Sequence, residues 1–254
     1  NETGAANAST CIHCSSNTFA ENTGMAVCTA CPNGKHVDSY GSTMLTDCDS
    51  CPSGRYGLGD GLGCEDCPSG RFATAVGATT IDVCSICPAG KYSDSGSLFC
   101  TDCVAGSFTS QNGSSSCDLC GPGSYTSTAG STECDPCEAG YFSSASGSSS
   151  CTQCPTGYFV STTGQTNCSE CIAGFYATDD DADADGSGVA GGATACVRCP
   201  GGFFAQRPAS TICSICSAGR HSSSNATYCQ KCEPGLFSGV AASSCSNCSS
   251  GSHS

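Results

Sequence analysis

Every one of the 28 cysteines in this chain belongs to a C-x-x-C pair, and none is left over. The fourteen pairs begin at Cys11, Cys28, Cys48, Cys64, Cys84, Cys100, Cys117, Cys134, Cys151, Cys168, Cys196, Cys213, Cys229 and Cys245. Such pairs serve as redox switches, as half of a zinc site or as architecture. A redox C-x-x-C needs one or two motifs at a helix start in a βαβ setting. Fourteen on Gly/Ser-rich loops do not fit that, and no Ser/His/Asp or phosphate-loop signature is present. Zinc fits the spacing of paired pairs better. Seven four-thiolate sites would each add two negative charges to a chain already at −14, which counts against metal.

The remaining role is structural, and composition asks for it. Leu, Ile, Val and Phe make up about an eighth of the residues and there is no tryptophan, so a conventional core cannot form. A cysteine-dense chain without a core is held by disulfides, in an oxidising compartment outside the cell. Six N-x-S/T sequons, at Asn1, Asn7, Asn112, Asn167, Asn225 and Asn247, agree with an extracellular glycoprotein. The acidic balance argues against nucleic-acid binding. No apolar run approaches the ~18 residues of a membrane span. No signal sequence opens the chain, and a trimmed N-terminus is expected.

Around the cysteines a unit repeats. Three residues after each pair stands glycine, from Gly34 to Gly251, except that Asn17 takes the place once. Asparagine is the residue that best substitutes glycine at positive φ, so the position reads as a left-handed turn. Two residues later comes a ring in all fourteen units. It is Phe or Tyr in eleven, and His36, His221 and His253 in three. A ring packed flat on a neighbouring disulfide is expected there, histidines included. A second glycine (Gly24, Gly96, Gly113, Gly130, Gly147, Gly164, with Asn225 once) marks loop tips. No stretch keeps a helical period. The expected fold is an elongated tandem array of small disulfide-rich, irregular β-hairpin-like modules with little or no helix.

The pair spacing suggests a grouping. Counted two by two from Cys11, pairs within a couple start 16 or 17 residues apart, while couples are separated by 16 to 28. Insertions are tolerated between folded units. This gives a lead-in at 1–10 and seven four-cysteine modules: 11–47, 48–83, 84–116, 117–150, 151–195 (with an acidic insertion at 179–192), 196–228 and 229–254. The expected bonds run first to third and second to fourth: Cys11–Cys28 and Cys14–Cys31, Cys48–Cys64 and Cys51–Cys67, Cys84–Cys100 and Cys87–Cys103, Cys117–Cys134 and Cys120–Cys137, Cys151–Cys168 and Cys154–Cys171, Cys196–Cys213 and Cys199–Cys216, Cys229–Cys245 and Cys232–Cys248. Nested pairing, as Cys151–Cys171 with Cys154–Cys168, is the rival. Bonds inside a pair make strained rings and are disfavoured.

The insertion "DDDADADG" places Asp181, Asp183 and Asp185 in the opening pattern of a calcium loop. The closing glutamate is absent, with Gly192 at the twelfth position, so a solvated acidic insertion is favoured over a weak calcium site. No other cofactor is expected.

"CPAGKYSDSGSLFCTDC" and "CPTGYFVSTTGQTNCSEC" carry a nameable pattern. It resembles the ephrin-receptor-like cysteine-rich repeat, related in style to tumour necrosis factor receptor and growth-factor receptor modules. Cys87, Gly90, Tyr92 and Cys100 match that motif, as do Cys154, Gly157, Phe159 and Cys168. The resemblance spans residues 11 to 254. It implies an extracellular spacer or interaction module and transfers nothing catalytic. An uninterrupted array is also similar to surface coats. The expected function is an extracellular structural glycoprotein, assembling with copies of itself or with other surface and matrix proteins into a filament or coat. A receptor or adhesin ectodomain is the alternative.

Overall fold

A computed structural model describes residues 11–178 and 192–249. Thirteen two-stranded antiparallel sheets follow one another along the chain, each a short hairpin of neighbouring strands. The only helical elements among the described residues are two 3-10 turns, Leu45–Asp47 and Ile81–Val83. A disulfide-rich array of hairpins with almost no helix is therefore the fold.

The two residues inside each C-x-x-C are themselves a strand. Thr29–Ala30 returns against Thr18–Phe19, and Ser169–Glu170 returns against Tyr158–Phe159. Residues three apart on an extended strand point to opposite faces. The two cysteines of a pair therefore cannot both reach one neighbouring pair, which the expected pairing required. The first cysteine bonds backward and the second forward.

Thirteen bonds result, among them Cys14–Cys28, Cys31–Cys48, Cys51–Cys64, Cys67–Cys84, Cys154–Cys168 and Cys171–Cys196. This corrects every first-to-third and second-to-fourth bond proposed from spacing. Of the nested alternative, only the inner bond, as in Cys154–Cys168, is present. Cys11 and Cys248 carry no disulfide.

The four-cysteine modules fall with that pairing. Cys31–Cys48 crosses the expected boundary at residue 48, and Cys67–Cys84 the one at 84. The repeating piece is one hairpin closed by one disulfide. Extra residues lie inside the closed loops: the bonded cysteines are 13 or 14 apart in most hairpins, 17 at Cys31–Cys48 and Cys67–Cys84, and 25 at Cys171–Cys196. Once a disulfide ties the ends of a loop, lengthening it costs little further entropy.

The chain divides into two compact units, Asn1–Val104 with Phe108–Asp118 and Ala129–Glu133, and Ala105–Ser107 with Leu119–Thr128 and Cys134–Ser254. Both use the same three backbone hydrogen bonds between successive hairpins. The turn residue donates to the carbonyl just after the next hairpin's ring, as Gly70 to Ser93 at 2.8 Å and Gly140 to Val160 at 2.9 Å. The second cysteine donates to the preceding turn carbonyl, as Cys87 to Gly70 at 3.0 Å. The loop tip donates to the carbonyl of the preceding hairpin's opening cysteine, as Gly96 to Cys67 at 2.9 Å. A sheet too small to stabilise itself thus satisfies its backbone through its neighbours.

Contacts also reach the hairpin after next. Gly34 has φ +81°, and a Cβ there would sit 2.5 Å from the carbonyl oxygen of Gly77, the tip two hairpins on. Asn17 holds the equivalent turn at φ +63°, as expected from the sequence.

Candidate functional site: the ring and disulfide stack

The interior is made of sulfur. The second cysteine of each pair from Cys14 to Cys216 is buried, whereas the first is half-exposed except at the exposed Cys11 and the buried Cys48, Cys84 and Cys229. In those three hairpins a basic side chain from the outgoing strand lies over the bond. Lys35, Arg71 and Arg220 donate to the carbonyls of Cys48, Cys84 and Cys229 at 2.9, 2.8 and 3.0 Å. Elsewhere the same strand position makes ordinary ion pairs, Arg55–Asp66 at 2.6 Å and Lys91–Asp102 at 2.7 Å. Both are half-exposed and contribute little to stability.

Rings lie against the next hairpin's disulfide in several hairpins. Phe19 packs with Cys31 and Cys48, Tyr56 with Cys67 and Cys84, and Phe159 with Cys171 and Cys196. The histidines occupy the same seat. His36 has a ring nitrogen within 4.8 Å of the sulfurs of Cys51 and Cys64, and His221 likewise of Cys232 and Cys245. His221 Nδ1 is 3.0 Å from Cys245 Sγ. His36 Nδ1 is enclosed with no hydrogen-bond partner, while its Nε2 is 3.9 Å from the exposed Asp38 carboxylate. Histidine here fills an aromatic seat and also aims a nitrogen at a disulfide. His253 lies outside the described residues.

A third repeated position was missed in the sequence. The residue after each described ring is small, and all but the half-buried Ala20 are buried: Val37, Gly57, Ala73, Ser93, Thr109, Thr126, Ser143, Val160, Ala177, Ala205, Ser222 and Ser238. Their smallness at a fixed place was the available signal. Where the residue is serine, the hydroxyl donates to a carbonyl of the preceding hairpin, as Ser93 to Arg71 and Ser222 to Phe203, both at 2.9 Å, or of its own hairpin, as Ser143 to Ala145 at 3.2 Å. Burial thus leaves no orphaned hydroxyl.

Asn112, Asn167, Asn225 and Asn247 are all exposed. Asn112 stands one residue before a tip glycine, and its Oδ1 accepts from the Ala89 N–H at 2.8 Å. Asn225 is itself a tip, at φ +65°. Asn1, Asn7, Asp181, Asp183 and Asp185 lie outside the described residues. No helix among the described residues is long and apolar enough to cross a membrane.

Residues 2–48, 90–137 and 125–171 match the family described as tyrosine-protein kinase ephrin type A/B receptor-like, together about half of the chain. The chain belongs to this ephrin-receptor-like cysteine-rich family. No curated protein matches it. Thirteen disulfides and the family both place these ephrin-receptor-like repeats outside the cell. The last match ends at residue 171, before the Cys171–Cys196 hairpin with its long insertion.

Proposed function

We propose that the chain is an extracellular structural glycoprotein that assembles with copies of itself into a surface filament or coat, bears N-linked glycans and performs no catalysis. One observation carries this reading. The same three backbone bonds recur from hairpin to hairpin, so that stiffness and stacking are what the repeated residues encode. Cysteine, turn glycine, ring and small residue are all consumed by contacts between hairpins. The exposed sequons are left to carry sugars.

Electron microscopy of purified, glycosylated protein tests it. Regular polymers support the reading, and protein that stays monomeric at high concentration defeats it. A receptor or adhesin ectodomain is the second reading, favoured by the family and by exposed apolar side chains on return strands, including Ile86, Leu119 and Ile215. Its signature is capture of a different protein by a monomeric chain.

Calcium at Asp181, Asp183 and Asp185 remains a separate proposal. Calorimetric titration of the chain and of Asp183→Ala decides it, and heat that is equal in both defeats it.

A further inference from the structure

His221 stands where three features meet. Its Nδ1 lies 3.0 Å from Cys245 Sγ. The bond between Cys232 and Cys245 has both cysteines half-exposed, unlike the neighbouring Cys216–Cys229 bond, whose cysteines are 0% and 8% exposed. His221 also forms one wall of a cleft of about 400 Å³ with Ser222, Thr227, Tyr228, Gln230 and Ser243. Hydroxyls and amides line this cleft, and no carboxylate, lysine or arginine does.

We infer that Cys232–Cys245 is a site of thiol–disulfide exchange with a small, polar, low-molecular-weight thiol that reaches the half-exposed Cys232. The incoming thiolate attacks Cys232 Sγ and forms a mixed disulfide there. The Cys232–Cys245 bond breaks, and its electron pair stays on Cys245 Sγ. The protonated ring of His221 gives its Nδ1 proton to that sulfur, so that Cys245 leaves as a thiol and His221 as neutral imidazole. No net oxidation occurs, because the external thiol takes Cys245's place in the bond. A proton donor beside the leaving sulfur speeds exchange, since the leaving group's basicity limits the rate. The eleven described seats that hold Phe or Tyr cannot do this, because those rings carry no nitrogen.

His36 supplies an internal contrast. It has the same seat and the equivalent sulfurs within reach, but Cys51, the counterpart of Cys232, is fully buried, so a thiolate has no approach to that sulfur. Geometry at sulfur, and not the histidine alone, sets which bond opens. This inference is independent of whether the array polymerises.

The test uses the folded, full chain with Cys11 and Cys248 alkylated beforehand. Limited incubation with 2-mercaptoethanol, an acid quench, alkylation and peptide mapping give the opening rate of each bond. The expected first product carries 2-mercaptoethanol on Cys232 and a free thiol on Cys245. His221→Phe keeps the seat filled, as Phe204 and Phe237 do in neighbouring hairpins. It should slow this bond by about tenfold or more and leave Cys216–Cys229 unchanged. Unchanged opening of Cys216–Cys229 also shows that the variant is folded. The inference is overturned if Cys232–Cys245 opens no faster than Cys216–Cys229, or if His221→Phe opens at the unaltered rate. Opening of Cys51–Cys64 as fast as Cys232–Cys245 would overturn it too, by removing the role of access.

Discussion

The turns at Asn17 and Gly34 belong to adjacent hairpins and do the same job under different constraints. Gly34 lies beneath the carbonyl of Gly77, with no room for a side chain. Asn17 has a side chain, and the hairpin two further on is reshaped around it. There the strand lengthens to Arg55–Gly57 and turns through a glycine-rich loop, "GLGDGLG". Gly63 of that loop abuts Asn17, where a Cβ would meet its Nδ2 at 2.6 Å, and Asn17 Oδ1 accepts from the Val37 N–H at 3.2 Å. The turn position and the tip two hairpins later are thus a single unit of design. A side chain is admitted at the turn only where the tip withdraws.

That comparison can be broken at either end. Gly34→Ala forces a Cβ against backbone at positive φ and should cost about 3 kcal/mol in denaturant unfolding. Asn17→Ala loses a hydrogen bond and keeps the left-handed strain, but meets no crowding carbonyl. Its cost should be about 1–2 kcal/mol, less than at Gly34. Equal losses would show that conformation alone, and not the distant tip, sets the demand for glycine.

The tips sharpen it from the other side. Ala209 and Ala241 hold the tip position at φ +54° and +60°, where other hairpins have glycine. Ala209→Gly should stabilise the chain by roughly 0.5–1 kcal/mol, since relief of left-handed strain outweighs the added chain entropy. Destabilisation would mean that the alanine methyl contributes packing.

The smallest effect lies in the lengthened hairpin. Tyr56 Oη donates to Glu65 Oε2 at 3.0 Å, and that hydrogen bond, with some burial and the carboxylate charge, raises the phenol above its ordinary pKa. A raised phenol contributes stability below its unfolded pKa and loses it as pH rises through the folded one. In Glu65→Gln the phenol should ionise at lower pH than in the unaltered chain, read by ultraviolet titration. An unmoved midpoint would remove the contact.

Much of this was visible in the residues. Asn17 as the lone replacement for glycine gave the left-handed turn, and the ring at a fixed offset gave its seat on sulfur. Both follow from local rules that one residue reveals. The pairing was not visible, because spacing alone assigns the longer spans to joints between modules, whereas they lie inside closed loops. What decides it is strand alternation across two residues, and those residues had to be recognised as a strand first. The small residue after each ring was overlooked because Val, Ala, Ser and Thr share size and not chemistry. His221 was legible as a filled seat, but its approach to Cys245 depends on the following hairpin, which no spacing reports.

The central claim is that each C-x-x-C faces two ways, bonding back with one cysteine and forward with the other. Non-reducing peptide mapping of the native protein tests it directly. Peptides joined through Cys31–Cys48 and Cys67–Cys84 are the predicted result. Peptides joined through Cys11–Cys28 together with Cys14–Cys31 would contradict it and restore four-cysteine modules.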